Sequence, residues 1–317
     1  MKNAVVIQAE RIAADYLGEQ VRSAYQIVGK GFVNQVCVVE GEQRKIVIRM
    51  NDRGTYPDYV KEQWCMEQAA AVGIPGPEVL AVGIADETAY MILTFVEGCN
   101  GLDLTSPAND VWRQLGAYAR RMHVIPVHGY GEQLTDPAQG RFHSPPHPGS
   151  DGSWLGCVQY NIDSLTEDDR LIELGVITRA ESQRVRELFE RLKQTTFSFG
   201  LYHGDMSLKN TLVDEAGQAI VLDWGSAEVG VVPHGEVLQV LQSQMLGEGP
   251  NREEFQAFID GYGLNEEDLA GMRPMQLLRA FDKLRWAIDR SPDLIEAYAA
   301  FAKRVVEMSA AEIGPGE

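Results

Sequence analysis

The hydrophobic pattern changes period several times along the chain. Between residues 4 and 17, Val5, Ile12, Ala13, Tyr16 and Leu17 fall near helical spacing and predict a leading amphipathic helix. Three β-rich runs follow: Tyr25-Gln26-Ile27-Val28, Val36-Cys37-Val38-Val39 and Lys45-Ile46-Val47-Ile48-Arg49. Glycine-containing turns separate them, which predicts an antiparallel meander. Residues 57–72 return to a helical pattern, ended by Gly73-Ile74-Pro75-Gly76-Pro77, where glycine and two prolines cannot continue it. Two more strands are predicted at 78–84 and 89–95, turning at Asp86-Glu87. Glu97-Gly98-Cys99-Asn100-Gly101 then reads as a linker, which sets a lobe boundary between 1–97 and 98–317.

The remainder is mainly helical. One helix is predicted over 108–124, with Trp112, Leu115, Ala119 and Met122 on a face, and another over 178–194. The stretch 126–153, rich in Pro, Gly and His, reads as a long irregular insertion. A strand at 197–202 and a hairpin at 211–222, turning at Glu215-Ala216-Gly217, precede the C-terminal helices. Asn265 and Ser291-Pro292 are helix N-terminal signals. The pattern predicts an α+β chain: a small antiparallel-sheet lobe followed by a larger helical one.

Composition narrows the class. The chain has 317 residues, 44% hydrophobic and 23% charged, which is ordinary for a soluble globular protein. It contains no apolar run of the length a membrane helix needs, and its first residues lack a signal-peptide pattern, so a cytoplasmic location is expected. Four scattered cysteines, Cys37, Cys65, Cys99 and Cys157, form no CxxC pair and predict free, mostly buried thiols. The 28 basic and 46 acidic residues give a formal charge of −18, which excludes a nucleic-acid partner on electrostatic grounds. That charge suits a cationic substrate and equally serves solubility.

The chemistry lies in His203-Gly204-Asp205-Met206-Ser207-Leu208-Lys209-Asn210 and in Val221-Leu222-Asp223-Trp224-Gly225. An aspartate, an asparagine five residues on and a second aspartate beyond a hairpin are the parts of a phosphoryl-transfer site. Asp205 is the candidate base that orients and deprotonates an attacking hydroxyl. Asn210 and Asp223 offer hard oxygen ligands for Mg2+ against nucleotide phosphates. The turn Gly29-Lys30-Gly31-Phe32-Val33-Asn34, with Gly29, Gly31 and Asn34 as its candidate contacts, can bring backbone amides to phosphates. It can equally be a plain hairpin. Arg49 ends the third strand, where a cation can bridge phosphates and pair with a helix carboxylate. Glu62 is the first candidate partner and Glu67 the second, the alternative being an exposed pair of little energetic worth. Asp282, Trp286 and Asp289, spaced by four and three, lie near one helical face and are candidate contacts for amino groups of a cationic acceptor. The same stripe also describes core and solvated rim.

These residues resemble the aminoglycoside phosphotransferase and choline kinase superfamily, which has a bilobal protein-kinase-like fold. The resemblance runs from about Tyr25 to about Tyr298. It is strongest at His203-Gly204-Asp205 through Asn210 and at Leu222-Asp223-Trp224. Ile48-Arg49-Met50-Asn51, residues 73–80 and Gly129-Tyr130-Gly131 look most like the hygromycin phosphotransferase branch. The resemblance implies ATP (or GTP) with Mg2+, Asp205 as catalytic base, and Asn210 and Asp223 as metal ligands. It also implies Arg49 on phosphate paired with Glu62, and backbone groups of Thr94 and Val96 on the base. Many members carry lysine where Arg49 stands. The implied acceptor is a small hydroxylated molecule, an aminoglycoside-type antibiotic or a metabolite of the choline, homoserine or sugar type. Its wall is expected from the C-terminal helices and the 126–160 insertion.

Overall fold

The structure is a computed structural model that describes residues 3–28 and 35–313. In chain order it begins with α1 (Ala4–Leu17), β1 (Ser23–Ile27), β2 (Gln35–Glu40), β3 (Lys45–Asp52), α2 (Tyr56–Ala71), β4 (Val79–Ala85) and β5 (Thr88–Thr94). Next come β6 (Cys99–Asn100), α3 (Asn109–Met122), β7 (His128–Tyr130), β8 (Gln133–Asp136), β9 (Arg141–His143), α4 (Trp154–Asp163), α5 (Arg170–Glu173) and α6 (Arg179–Gln194). They are followed by β10 (Ser198–Tyr202), β11 (Thr211–Val213), β12 (Ala219–Val221), β13 (Glu228–Val232), α7 (His234–Leu246) and α8 (Arg252–Tyr262). The chain closes with α9 (Glu266–Gly271), α10 (Arg273–Arg290), α11 (Ile295–Met308) and α12 (Ala310–Ile313). By packing it divides into two compact units, Met1–Val111 with Ser207–Ala227, and Trp112–Met206 with Glu228–Glu317. This division differs from a lobe boundary at 97/98, because β11 pairs with β6 on one side and β12 on the other, which ties residues 207–227 to the N-terminal part.

In the first unit, five strands form an antiparallel sheet in the order β1-β2-β3-β5-β4. Alternation along β3 sends Ile46 and Ile48 to one face. There they join Cys37, Val39, Met50 and Ile92 and are covered by Val6, Ala9, Ile12 and Ala13 of α1. Asn3 caps α1 by accepting from the Val5 amide, and Gly18 ends it in the left-handed conformation. On α2, Tyr59, Cys65, Met66 and Ala69 are buried, and the helix packs on β4 and β5.

In the second unit, β10 and β13 form an antiparallel pair, and helices α4, α6, α7, α8, α10 and α11 pack around one another. Helix α10 is buried at Leu277, Ala280, Phe281, Leu284 and Ala287, with Phe281 set edge-on to Phe189 of α6 at 6.1 Å. Helices α3 and α8 approach at glycine: a Cβ on Gly116 would lie 2.0 Å from the Phe258 carbonyl oxygen.

Two sequence expectations need correction. The stretch 126–153 is not irregular throughout: β7, β9 and β8 form a three-stranded sheet, β7 parallel and β8 antiparallel to β9. Strands of three or four residues are too short to show an alternation. Ser291 does not cap a helix with its side chain; a 3-10 turn, Pro292–Leu294, intervenes before α11. Asn265 does cap α9, in a reciprocal capping box with Asp268. All four cysteines are free, Cys37 and Cys65 buried, Cys157 partly buried and Cys99 exposed. No helix among the described residues is long and apolar enough to cross a membrane.

Candidate active site

The first unit brings three of the predicted residues into contact. Arg49 on β3 donates from Nη1 to Glu62 Oε2 at 2.5 Å and from Nη2 to Glu62 Oε1 at 3.3 Å. The same Nη2 donates to Asp223 Oδ1 at 3.1 Å. Arg49 and Glu62 are buried, 7% and 3% exposed, so this is the two-pronged interior pair and not a surface one. Burial works against the charge on Arg49, but Glu62 and Asp223 more than restore it and leave the guanidinium above its ordinary value. The Glu62 carboxyl is pushed up by burial and pulled back by Arg49. Glu67, the second candidate, bonds Gln63 on the exposed side of α2.

Asp223 follows β12 with φ 57° and ψ 73°, a left-handed conformation uncommon for a residue with a side chain and typical of functional turns. Its backbone neighbours are held firmly. The Leu222 amide donates to the Asn210 carbonyl at 2.9 Å, and the Val221 amide to the Pro75 carbonyl at 2.8 Å. Beyond Asp223, the buried Lys61 donates from Nζ to the carbonyls of Gly225 at 2.6 Å and Ala227 at 3.1 Å. Lys61 was not legible in the sequence, because a helical lysine beside a glutamate gives no signal of which carbonyls it meets. Trp224 is buried. Asn210, also buried, ends the turn Leu208–Asn210, and Asn100 Nδ2 fixes that turn by donating to the Lys209 carbonyl.

Thr94 ends β5 opposite Ile46; its amide donates to the Glu78 carbonyl and its hydroxyl accepts from the Glu78 amide. Val96 follows, partly buried. Gly29, Gly31 and Asn34 lie outside the described residues.

Asp205 belongs to the second unit, in the loop that leaves β10. His203 is fully buried, and its amide donates to Glu236 Oε2 at 2.6 Å. Gly204 takes φ +76°, and the Asp205 amide donates to His203 Nδ1 at 3.3 Å. Glu236 on α7 was not legible from residue spacing. It is wholly buried, and desolvation pushes its carboxyl up to about 7, against the pull of the His203 and Gly204 amides. Its Oε1 makes no hydrogen bond among the described residues.

The second unit also holds a cavity of about 280 Å³ between residues of the 130–157 stretch, β10, β13, α7 and α10. Asp282 lines it and accepts from Asn161 Nδ2 at 3.3 Å. Trp286 and Asp289 are exposed and do not line it; Trp286 instead stacks edge-on with Tyr298 at 6.5 Å. No group of three or more His, Cys, Asp and Glu side chains suited to a metal ion occurs among the described residues.

Comparison with known proteins bears on the fold and the family. No curated protein matches the chain by sequence. Among solved structures, aminoglycoside phosphotransferase APH(4)-Ia superposes with a TM-score of 0.67 at 20% identity, over 98% of this chain and 99% of that one. Spectinomycin phosphotransferase APH(9)-Ia gives 0.57 at 16% identity over 97% and 98%. A variant of aminoglycoside 2'-phosphotransferase-IIIa gives 0.64 at 13% over 97% and 99%. At these identities the likeness shows the fold, the α+β kinase-like one. The phosphotransferase enzyme family matches residues 24–278, most of the chain, from β1 into α10. The chain belongs to the phosphotransferase enzyme family and is a small-molecule phosphotransferase.

Proposed function

We propose that the protein transfers the γ-phosphate of ATP (or GTP) to a hydroxyl of a small molecule. The observation that carries this reading is the buried contact of Arg49 with Glu62 and Asp223, which holds a cation and a carboxylate side by side. Asp205 orients the acceptor hydroxyl and takes its proton late, as the new phosphorus–oxygen bond forms and the bond to the departing nucleoside diphosphate breaks. Arg49, fixed by Glu62, contacts the phosphates; arginine in this place gives a planar fork where lysine would give a point charge. Gly29, Gly31 and Asn34, which lie outside the described residues, are the proposed phosphate contacts, and backbone groups of Thr94 and Val96 hold the base. In this reading 1–97 is the nucleotide lobe and 98–317 the catalytic and acceptor lobe.

Asn210 and Asp223 fit Mg2+ by donor chemistry. Asp223 Oδ1 meets Arg49, the side chain is half exposed, and its second oxygen takes no protein partner among the described residues. Mg2+ favours one or two such oxygen ligands beside phosphate oxygens, and when bound it neutralises charge on the β- and γ-phosphates. The neighbours support the nucleotide: structures of APH(4)-Ia and APH(9)-Ia hold ADP, and that of the 2'-phosphotransferase holds GDP. The first two also hold hygromycin B and spectinomycin, respectively. An aminoglycoside-type acceptor is what likeness alone suggests, and with it a role in antibiotic resistance. Asp205→Ala is expected to abolish phosphate transfer while AMP-PNP binding stays nearly intact. Equal loss of both would make Asp205 structural and sink the assignment.

A further inference from the structure

The cavity in the second unit carries a charge arrangement that selects its ligand. Tyr202, which lines it, immediately precedes His203, and Gly235, also in the wall, immediately precedes Glu236, the acceptor for the His203 amide. The cavity therefore adjoins the loop that carries Asp205. Tyr130, Trp154 and Leu238 supply aromatic and apolar wall. The ionisable groups are Glu228, Arg279, Asp282 and Lys283.

Their hydrogen bonds are unequally used. Glu228 accepts from the Tyr202 hydroxyl, and Asp282 accepts from Asn161 Nδ2. Arg279 uses only Nε, toward Gln242 Oε1 at 3.1 Å, which leaves its two terminal nitrogens. Lys283 makes neither a hydrogen bond nor an ion pair among the described residues; Nζ stands 5.8 Å from the centre of the Trp286 ring. Arg279 and Lys283 are four apart on α10, so they share a face, and like charges so placed repel. Burial first, and Arg279 second, hold the Lys283 ammonium below its ordinary value, against the opposite pull of Asp282 and Glu228. Glu228 and Asp282 each use one oxygen in these bonds and Arg279 one nitrogen, while Lys283 uses none. Glu228 and Asp282 act on the two cations only through space, with no hydrogen bond to either among the described residues; an anion seated between Arg279 and Lys283 would take the donors that both leave unused. The formal charge of −18 belongs to the whole surface and does not set the sign at this wall.

We infer that the acceptor is a small hydroxylated molecule bearing a carboxylate or phosphate group, which Arg279 and Lys283 bind while its hydroxyl faces Asp205. The volume of about 280 Å³ agrees. It lies at the small end for ligand sites and suits one ring better than a multi-ring aminoglycoside. The inference rests on the kinase reading above, and its test separates the two.

The test is calorimetric titration of the full chain. AMP-PNP with Mg2+ is titrated first, and failure to bind it counts against the kinase reading itself. The saturated protein is then titrated with glucuronate, glucose 6-phosphate, glucose and hygromycin B. Glucuronate or glucose 6-phosphate is expected to bind about ten-fold or more tighter than glucose, the effect of one charge-assisted contact. Whichever of the two binds tells carboxylate from phosphate. Lys283→Gln should lower that affinity about ten-fold and Lys283→Arg should keep most of it, with AMP-PNP binding unchanged in both. With AMP-PNP bound normally, anions no better than glucose, anion binding indifferent to Lys283→Gln, or tight hygromycin B binding would each overturn the inference.

Discussion

Glu236 offers a prediction whose size and sign follow from its surroundings. Its carboxyl is wholly buried beneath the loop bearing Asp205 and sits at about 7, against an ordinary value of 4.5. Between those pH values the folded protein keeps a proton that the unfolded chain has lost. Glu236 therefore contributes stability that is fully present below about 4.5 and is lost as pH rises through about 7. At about 1.4 kcal/mol per tenfold change in proton affinity, the whole effect is about 3 kcal/mol, of which about 2 falls between about pH 5 and pH 8. Glu236→Gln keeps an acceptor oxygen for the His203 amide but cannot ionise. Urea unfolding of both proteins, followed by tryptophan fluorescence at intervals across that range, gives the comparison. Groups other than Glu236 cancel in the difference between them. Wild-type stability minus variant stability should fall by about 2 kcal/mol from about pH 5 to pH 8. A difference that stays level, or that rises with pH, refutes the reasoning and means the carboxyl is ionised in the folded state.

Other outcomes follow from the same contacts. Glu62→Ala leaves Arg49 buried with only Asp223, and urea midpoints should show a loss of about 3–5 kcal/mol. An unchanged midpoint would mean the pair is dispensable to folding. Lys61→Met strips the Gly225 and Ala227 carbonyls of a shared donor; about 2–3 kcal/mol should go, with slower phosphate transfer, and a variant as stable and active as wild type contradicts the role given to Lys61. Gly116→Ala sets a methyl against the Phe258 carbonyl, so α3 and α8 must part, lowering thermal stability by about 2 kcal/mol or more. A melting temperature equal to wild type would show that this crossing yields freely.

Periodicity and the spacing of polar residues, both local properties, carried much of the fold and the order of the chemistry. The leading helix is found at Ala4–Leu17, and β3 starts at Lys45, as alternation requires. The offsets of Asp205, Asn210 and Asp223 were visible because each stands in a short loop beside an apolar strand. What the sequence could not settle were meetings between distant residues. Arg49 and Asp223 are 174 residues apart and touch only because β12 and β3 are folded into one unit. The choice of Glu62 over Glu67 depended on which side of α2 faces that unit's interior. The stripe Asp282, Trp286, Asp289 shows the same boundary: spacing put all three near one face, but the cavity reaches only Asp282, and Trp286 and Asp289 continue into solvent. Lys61, Glu236, Arg279 and Lys283 had no pattern to announce them. Their charges have meaning only through the desolvation and partners that packing imposes, and these depend on tertiary neighbours that no local spacing encodes.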